Sequence, residues 1–150
     1  MTRKPLLLVA GLLLAGSALA APGKIRRIVL ERTPCFGTCP SYTLTLNADG
    51  TAEYAGGVHA PRQGVYRGTF GGGLDRLAST LDRLGFWKLR PQYTVEVTDQ
   101  PSQIVTIVTD GGKKTVREYG RTGPAELFAL QSMIDGLAAN VRWTKAPSRR

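Results

Sequence analysis

The chain is poor in most of the side chains from which catalytic centres are built. One histidine and two cysteines occur in 150 residues. A four-ligand zinc site made only of Cys and His is therefore excluded, and a zincin or His/Cys/Cys site would leave none to spare. No Gly-x-Ser-x-Gly elbow is present, and a serine or cysteine nucleophile would have only His59 as an imidazole base. Gly71-Gly72-Gly73 precedes a helical pattern but lacks the Walker lysine, so it reads as a flexible break and not a phosphate cradle. Beyond the first twenty residues no apolar run approaches the roughly 18 residues of a membrane span.

What is present begins with an export pattern. Arg3 and Lys4 form a positive start, Leu6 to Leu14 an apolar stretch broken only by Gly11, and Ala18-Leu19-Ala20 a cleavage site before Ala21-Pro22. Residues 1–20 are thus expected to be a cleavable signal peptide and 21–150 a single globular domain. No cysteine lies near the cut, so no lipobox is available, and the expected location is periplasmic or secreted. There disulfides form and persist.

Removing Arg3 and Lys4 takes the net charge from +9 to +7. Lys24, Arg26 and Arg27 at one end and Arg142, Lys145, Arg149 and Arg150 at the other account for that excess, because Ile28 to Val141 carries 11 basic and 11 acidic residues. A nucleic-acid binder would carry its charge on the body, interleaved with aromatics, so no nucleic-acid partner is expected. The basic flanks are read as solvated ends, with 144–150 a flexible tail, capable of weak contact with anionic envelope material.

Between the flanks the periodicity alternates between strand and helix. Ile25 to Arg32 reads as a strand, and Tyr42, Leu44 and Leu46 alternate with polar residues. Asn47-Ala48-Asp49-Gly50 is turn chemistry, returning through Thr51 to Ala55. Val65 to Phe70 forms a fourth strand, and Leu74, Leu77, Leu81 and Leu84 repeat at helical spacing ahead of Gly85. Residues 86–102 contain Pro91 and Pro101 and read as an irregular crossing loop. Ile104 to Thr109 and Lys113 to Tyr119 flank Asp110-Gly111-Gly112 as a second hairpin, followed by a helix from Gly123-Pro124 with Leu127, Leu130, Met133 or Ile134, Leu137 and Val141 on one stripe. The predicted fold is α+β: an antiparallel sheet of about six strands with two helices on one face, the folded body spanning about 25–143.

Cys35 and Cys39 are the most informative pair. A disulfide would staple the loop between the first two strands and stabilise it by about 2 kcal/mol. A redox dithiol usually has Cys-x-x-Cys opening a helix, whereas here a strand follows. Cys-x-x-x-Cys-Pro also resembles the copper-binding stretch of exported copper chaperones of the thioredoxin class, for which His59 would be the third ligand. The structural disulfide is preferred, and the redox and copper readings stand as the alternative. Tyr42, Tyr93 and Asp99 are the candidate ligand-facing residues, since they lie at loops or beside turns. No catalytic residue, metal or cofactor is assigned.

The segment Arg32-Thr33-Pro34-Cys35-Phe36-Gly37-Thr38-Cys39-Pro40-Ser41-Tyr42 resembles the opening signature, Cys-Phe-Gly-x-Cys-Pro-x-Tyr, of an uncharacterised bacterial domain family found mostly in exported proteins and lipoproteins. Further matches are Asp49-Gly50-Thr51, Tyr54 with Gly56, Gly64 with Tyr66, Gly85-Phe86-Trp87, Tyr93, and Thr98-Asp99 with Pro101. The likeness covers roughly Ile28 to Trp143. It implies a domain of unknown function and no catalytic residues, and His59 matches none of its positions. The expected function is that of a non-enzymatic binding or structural protein of the bacterial envelope, its partner an unidentified protein or envelope component.

Overall fold

The computed structural model describes residues 23–71 and 74–147. The expected signal peptide and residues 148–150 of the basic tail lie outside the described residues.

Alternation of large apolar with polar side chains produces a sheet with one buried face. Strands β1 (Ile25–Arg32), β2 (Tyr42–Asn47), β3 (Thr51–Gly56) and β4 (Gly64–Thr69) form an antiparallel meander. Helix α1 (Leu74–Arg83) and a short 3-10 turn (Phe86–Lys88) follow, then β5 (Gln92–Tyr93), the hairpin β6 (Ser102–Thr109) and β7 (Gly112–Tyr119), helix α2 (Ala125–Ala139) and β8 (Arg142–Lys145). The strand order is β5-β7-β6-β1-β2-β3-β4-β8. β6 thus closes on the free edge of β1, so the two hairpin systems share one sheet.

On the inner face Ile28 and Leu30 of β1 stand beside Leu46 and Leu44 of β2, and beside Ile107 and Val105 of β6. All six are fully buried. Ile25 is buried too, three residues before Ile28, a spacing that a regular strand would send to opposite faces. A bulge between Ile25 and Arg27 restores both to the core. Leu74, Leu77 and Leu81 of α1 and Leu127, Leu130 and Ile134 of α2 close over this layer as one cluster, each buried side chain contributing roughly 1.5–3 kcal/mol. In the β2–β3 turn Gly50 takes φ 83°, and the Asp49 carboxylate accepts the Thr51 N–H at 2.9 Å.

The observed sheet has eight strands and is mixed, where about six antiparallel strands are expected from sequence. The two additions are its edges. β5 falls inside the segment read as an irregular loop and pairs in parallel with β7, Gln92 opposite Arg117. Two residues leave no alternation to detect. β8 pairs with β4, Trp143 opposite Gly68, and the Ala146 N–H donates to the Val65 carbonyl at 2.8 Å. Strand pairing therefore continues past Trp143, the expected end of the folded body, because Arg-Trp-Thr-Lys reads as basic flank until a partner edge is present. The N-terminal flank is likewise engaged: Arg26 pairs with Asp110, and Lys24 lies 4.0 Å from Asp75.

Candidate functional site

One rung of the sheet's inner face is polar from strand to strand. Glu118 of β7 lies opposite Gln103 of β6, Gln103 opposite Arg32 of β1, and Arg32 opposite Tyr42 of β2. Apolar rungs lie next to it, so these side chains project under α2 at the end of the core. Helix α2 supplies Gln131 and Asp135, four residues apart and hence on one face.

The contacts divide into two groups. Glu118, fully buried, accepts from Gln131 Nε2 at 3.0 Å and from the Gly123 N–H at 3.0 Å. Arg32 donates through Nε to the Tyr42 hydroxyl at 2.6 Å, through one terminal nitrogen to Asp135 Oδ2 at 2.7 Å, and through the other to Gln103 Oε1. The Tyr42 hydroxyl in turn donates to Asp135 Oδ1 at 2.6 Å. Burial disfavours the Arg32 charge, but Tyr42 and Asp135 more than restore it, and its pKa is raised.

Burial, reinforced by the bond to Asp135, also raises the Tyr42 pKa, and burial raises that of Tyr54. The unfolded chain releases these protons near pH 10.0, whereas the folded chain retains them. This stabilisation is complete below that pH and is lost as pH rises through and above it. The melting temperature should therefore fall on alkaline titration above pH 10.0, and less steeply in Tyr42→Phe. Parallel slopes for the two proteins would show that Tyr42 does not titrate differently in the fold.

Beside Tyr42 lies an aromatic cleft of about 250 Å³, between α2, β8 and the loop that carries Pro61 and Arg62. Tyr42 stacks on Tyr54 with ring centroids 5.1 Å apart, and Trp143 meets Tyr54 edge-on at 5.8 Å. The Tyr54 residue is 6% exposed, and its hydroxyl has no hydrogen-bond partner among the described residues. The Arg62 main chain lies beside that oxygen without reaching hydrogen-bond geometry. A buried hydroxyl left in this state costs about 1–3 kcal/mol.

The cysteines are joined as a Cys35–Cys39 disulfide, with Cα atoms 5.5 Å apart. Its loop is tied to the 99–102 segment: Thr33 N–H donates to Ser102 O at 3.0 Å, Ser102 N–H to Thr33 Oγ1 at 2.8 Å, and Phe36 N–H to Asp99 O at 3.3 Å. Phe36 at its tip is 91% exposed.

Tyr42 lines the cleft, but Tyr93 and Asp99 do not join it. Tyr93 is on β5, its hydroxyl accepting the Arg90 N–H at 3.1 Å and its ring lying 4.7 Å from the Arg90 guanidinium carbon. Asp99 is exposed at φ 64° and serves the disulfide loop through its carbonyl. His59 is exposed at φ 56°, and among the described residues no three His, Cys, Asp or Glu side chains are grouped to hold a metal. With both sulfurs in the disulfide, the Cys35, Cys39 and His59 copper set is not assembled.

Sequence reading missed Arg32, Gln103, Glu118, Gln131 and Asp135 as a unit. The available signal was a charge on the apolar phase of a strand: Arg32 follows Ile28 and Leu30, and Glu118 follows Val116. Asp135 carried no such mark beside Ile134 of the apolar stripe.

A family model described as Domain of unknown function (DUF6438) matches residues 26–138. No curated protein and no solved structure matches the chain. The matched segment runs from the first strand into the last turn of α2 and includes the polar rung, the disulfide loop and most of the aromatic cleft. The chain belongs to the DUF6438 family of domains of unknown function.

Proposed function

We propose that this protein is an exported, non-enzymatic binding domain of the bacterial envelope, and that it docks a partner protein through the disulfide loop. The observation that carries this reading is Phe36, 91% exposed on a five-residue ring closed by Cys35–Cys39. An aromatic side chain so placed adds nothing to the core. Held on a loop with few conformations, it would lose little entropy on entering a partner's pocket, as interface anchors do. Val95 and Val97, also exposed, lie in the segment leading to Asp99 and add apolar surface near this end. The export pattern at residues 3–20 and the basic flanks support an envelope location.

A photo-crosslinking phenylalanine analogue at position 36 of the exported protein should yield one dominant adduct. With that partner purified, Phe36→Ala should bind at least about tenfold more weakly, while its stability stays within about 0.5 kcal/mol of wild type. Equal affinity of Phe36→Ala and wild type would refute docking through this residue. Retention of the full-length chain in the cytoplasm on fractionation would refute export.

A further inference from the structure

We infer that the cavity between the disulfide loop and the Gly120-Arg121 turn takes a carboxylate from the docked partner, carried on an Asp or Glu side chain. The inference rests on docking through the disulfide loop, because Cys39 and Pro40 of that loop form part of the cavity wall. Arg32, Gln100, Gln103 and Arg121 supply its polar groups, around a volume of about 360 Å³.

The first observation is Gln103, a polar side chain only 5% exposed. Its Oε1 accepts from Arg32, which fixes the orientation of the amide and turns Nε2 away from that guanidinium. The Nε2 group has no hydrogen-bond partner among the described residues, yet unlike the Tyr54 hydroxyl it is not sealed from the surface. Glu118, its neighbour on the rung, is already engaged with Gln131 and the Gly123 N–H. A donor left over in a cavity wall is satisfied by an acceptor that enters from outside.

The second observation is the charge. Arg121 forms no ion pair among the described residues. Its guanidinium carbon lies 5.5 Å from the Phe128 ring centroid, so the ring steadies the group while its N–H edge stays open. The backbone there has φ 58°, where glycine or asparagine would be easier, so an arginine is kept at this position against backbone preference. Among the described residues no Asp or Glu lines the cavity: Asp135 faces the neighbouring aromatic cleft, and Asp99 belongs to neither lining. Arg32 is neutralised by Asp135, so the cavity offers one uncompensated positive charge beside amide donors. A single carboxylate matches that set, whereas a phosphate dianion would bring a second charge with no counterpart. Because Phe36 of the same loop enters a pocket in the partner, the partner is folded at this contact, and the group it extends is a side chain and not a chain end.

The test is an NMR titration of the purified protein with N-acetylglutamate N-methylamide as the side-chain carboxylate, its glutamine counterpart as the neutral isostere, and N-acetylalanine and inorganic phosphate as the other anions. The glutamate probe should give saturable shifts that include the Gln103 side-chain amide, with an affinity at least about fivefold above that of each other probe. Arg121→Asn, whose new side chain tolerates the left-handed backbone, should weaken that binding about fivefold, and Arg121→Lys should retain most of it. Phe36→Ala should bind the glutamate probe as wild type does, so that loss of the crosslink at position 36 speaks against docking and loss of probe binding against the cavity. Equal binding of the glutamate and glutamine probes would overturn the inference, as would unchanged affinity in Arg121→Asn, or tighter binding of phosphate or N-acetylalanine.

Discussion

Replacing Asp135 with alanine is expected to destabilise the fold by about 2 kcal/mol, although no apolar contact of the core is removed. The reason lies in what remains. Arg32 keeps Tyr42 and Gln103 as acceptors but loses its only ionised partner among the described residues, and Tyr42 loses the oxygen to which it donates. Breaking a fully buried pair costs about 3–5 kcal/mol, and the lower figure here reflects side chains that are 21% and 36% exposed and hence partly screened. In the double variant Arg32→Met, Asp135→Ala the uncompensated charge is gone, so urea denaturation should return most of the lost stability. A double variant as unstable as the sum of the two singles would show that Arg32 and Asp135 are not coupled.

Alanine at Gly56 is expected to have the larger effect, about 3 kcal/mol or more. A Cβ built there falls 1.7 Å from the Arg62 carbonyl oxygen and 2.9 Å from the Tyr54 ring. The obstacle is main chain, and it cannot rotate aside as a long side chain would. The 57–63 loop must move, and with it Arg62 and Pro61, so one substitution should lower stability and open the aromatic cleft together. Gly136 provides the opposite case. It lies within α2, its Cβ would meet nothing within 4 Å, and alanine there should raise stability by up to about 1 kcal/mol. Thermal denaturation of the two variants side by side checks both signs. A Gly56→Ala protein as stable as wild type would mean that the loop does not close over β3 in solution.

The two hairpins and both helices were legible because each is a local pattern. Tyr42, Leu44 and Leu46 alternate, Asp49-Gly50 turns the chain, and Leu74, Leu77 and Leu81 return at helical spacing. The edges were not. β5 is two residues long, and β8 is a basic tetrapeptide whose strand character comes from pairing with β4. The candidate site was legible only in fragments. Tyr42 and the cysteine pair stood out from motif and spacing, whereas Arg32 and Asp135 are 103 positions apart and meet only when α2 lies across β1 and β2. Tyr93 and Asp99 drew notice by lying in an unexplained loop. Each instead makes a structural contact, Tyr93 with Arg90 in its own segment and Asp99 with Phe36 of the disulfide loop.

By itself, the sequence determined which residues face the core, where the chain turns, that the fold is α+β, and that two cysteines lie close enough to bridge. These follow from periods of two and 3.6 residues and from glycine and proline chemistry, which act over a few bonds. Only the tertiary structure decided that β6 joins β1, that the sheet is extended by β5 and β8, and that Glu118, Gln103, Arg32 and Tyr42 align on one rung beneath α2. Alternation specifies which face a side chain takes but not which strand lies beside it. Strand order and register are selected by the joint burial of the whole apolar face, and the polar rung is positioned by that selection.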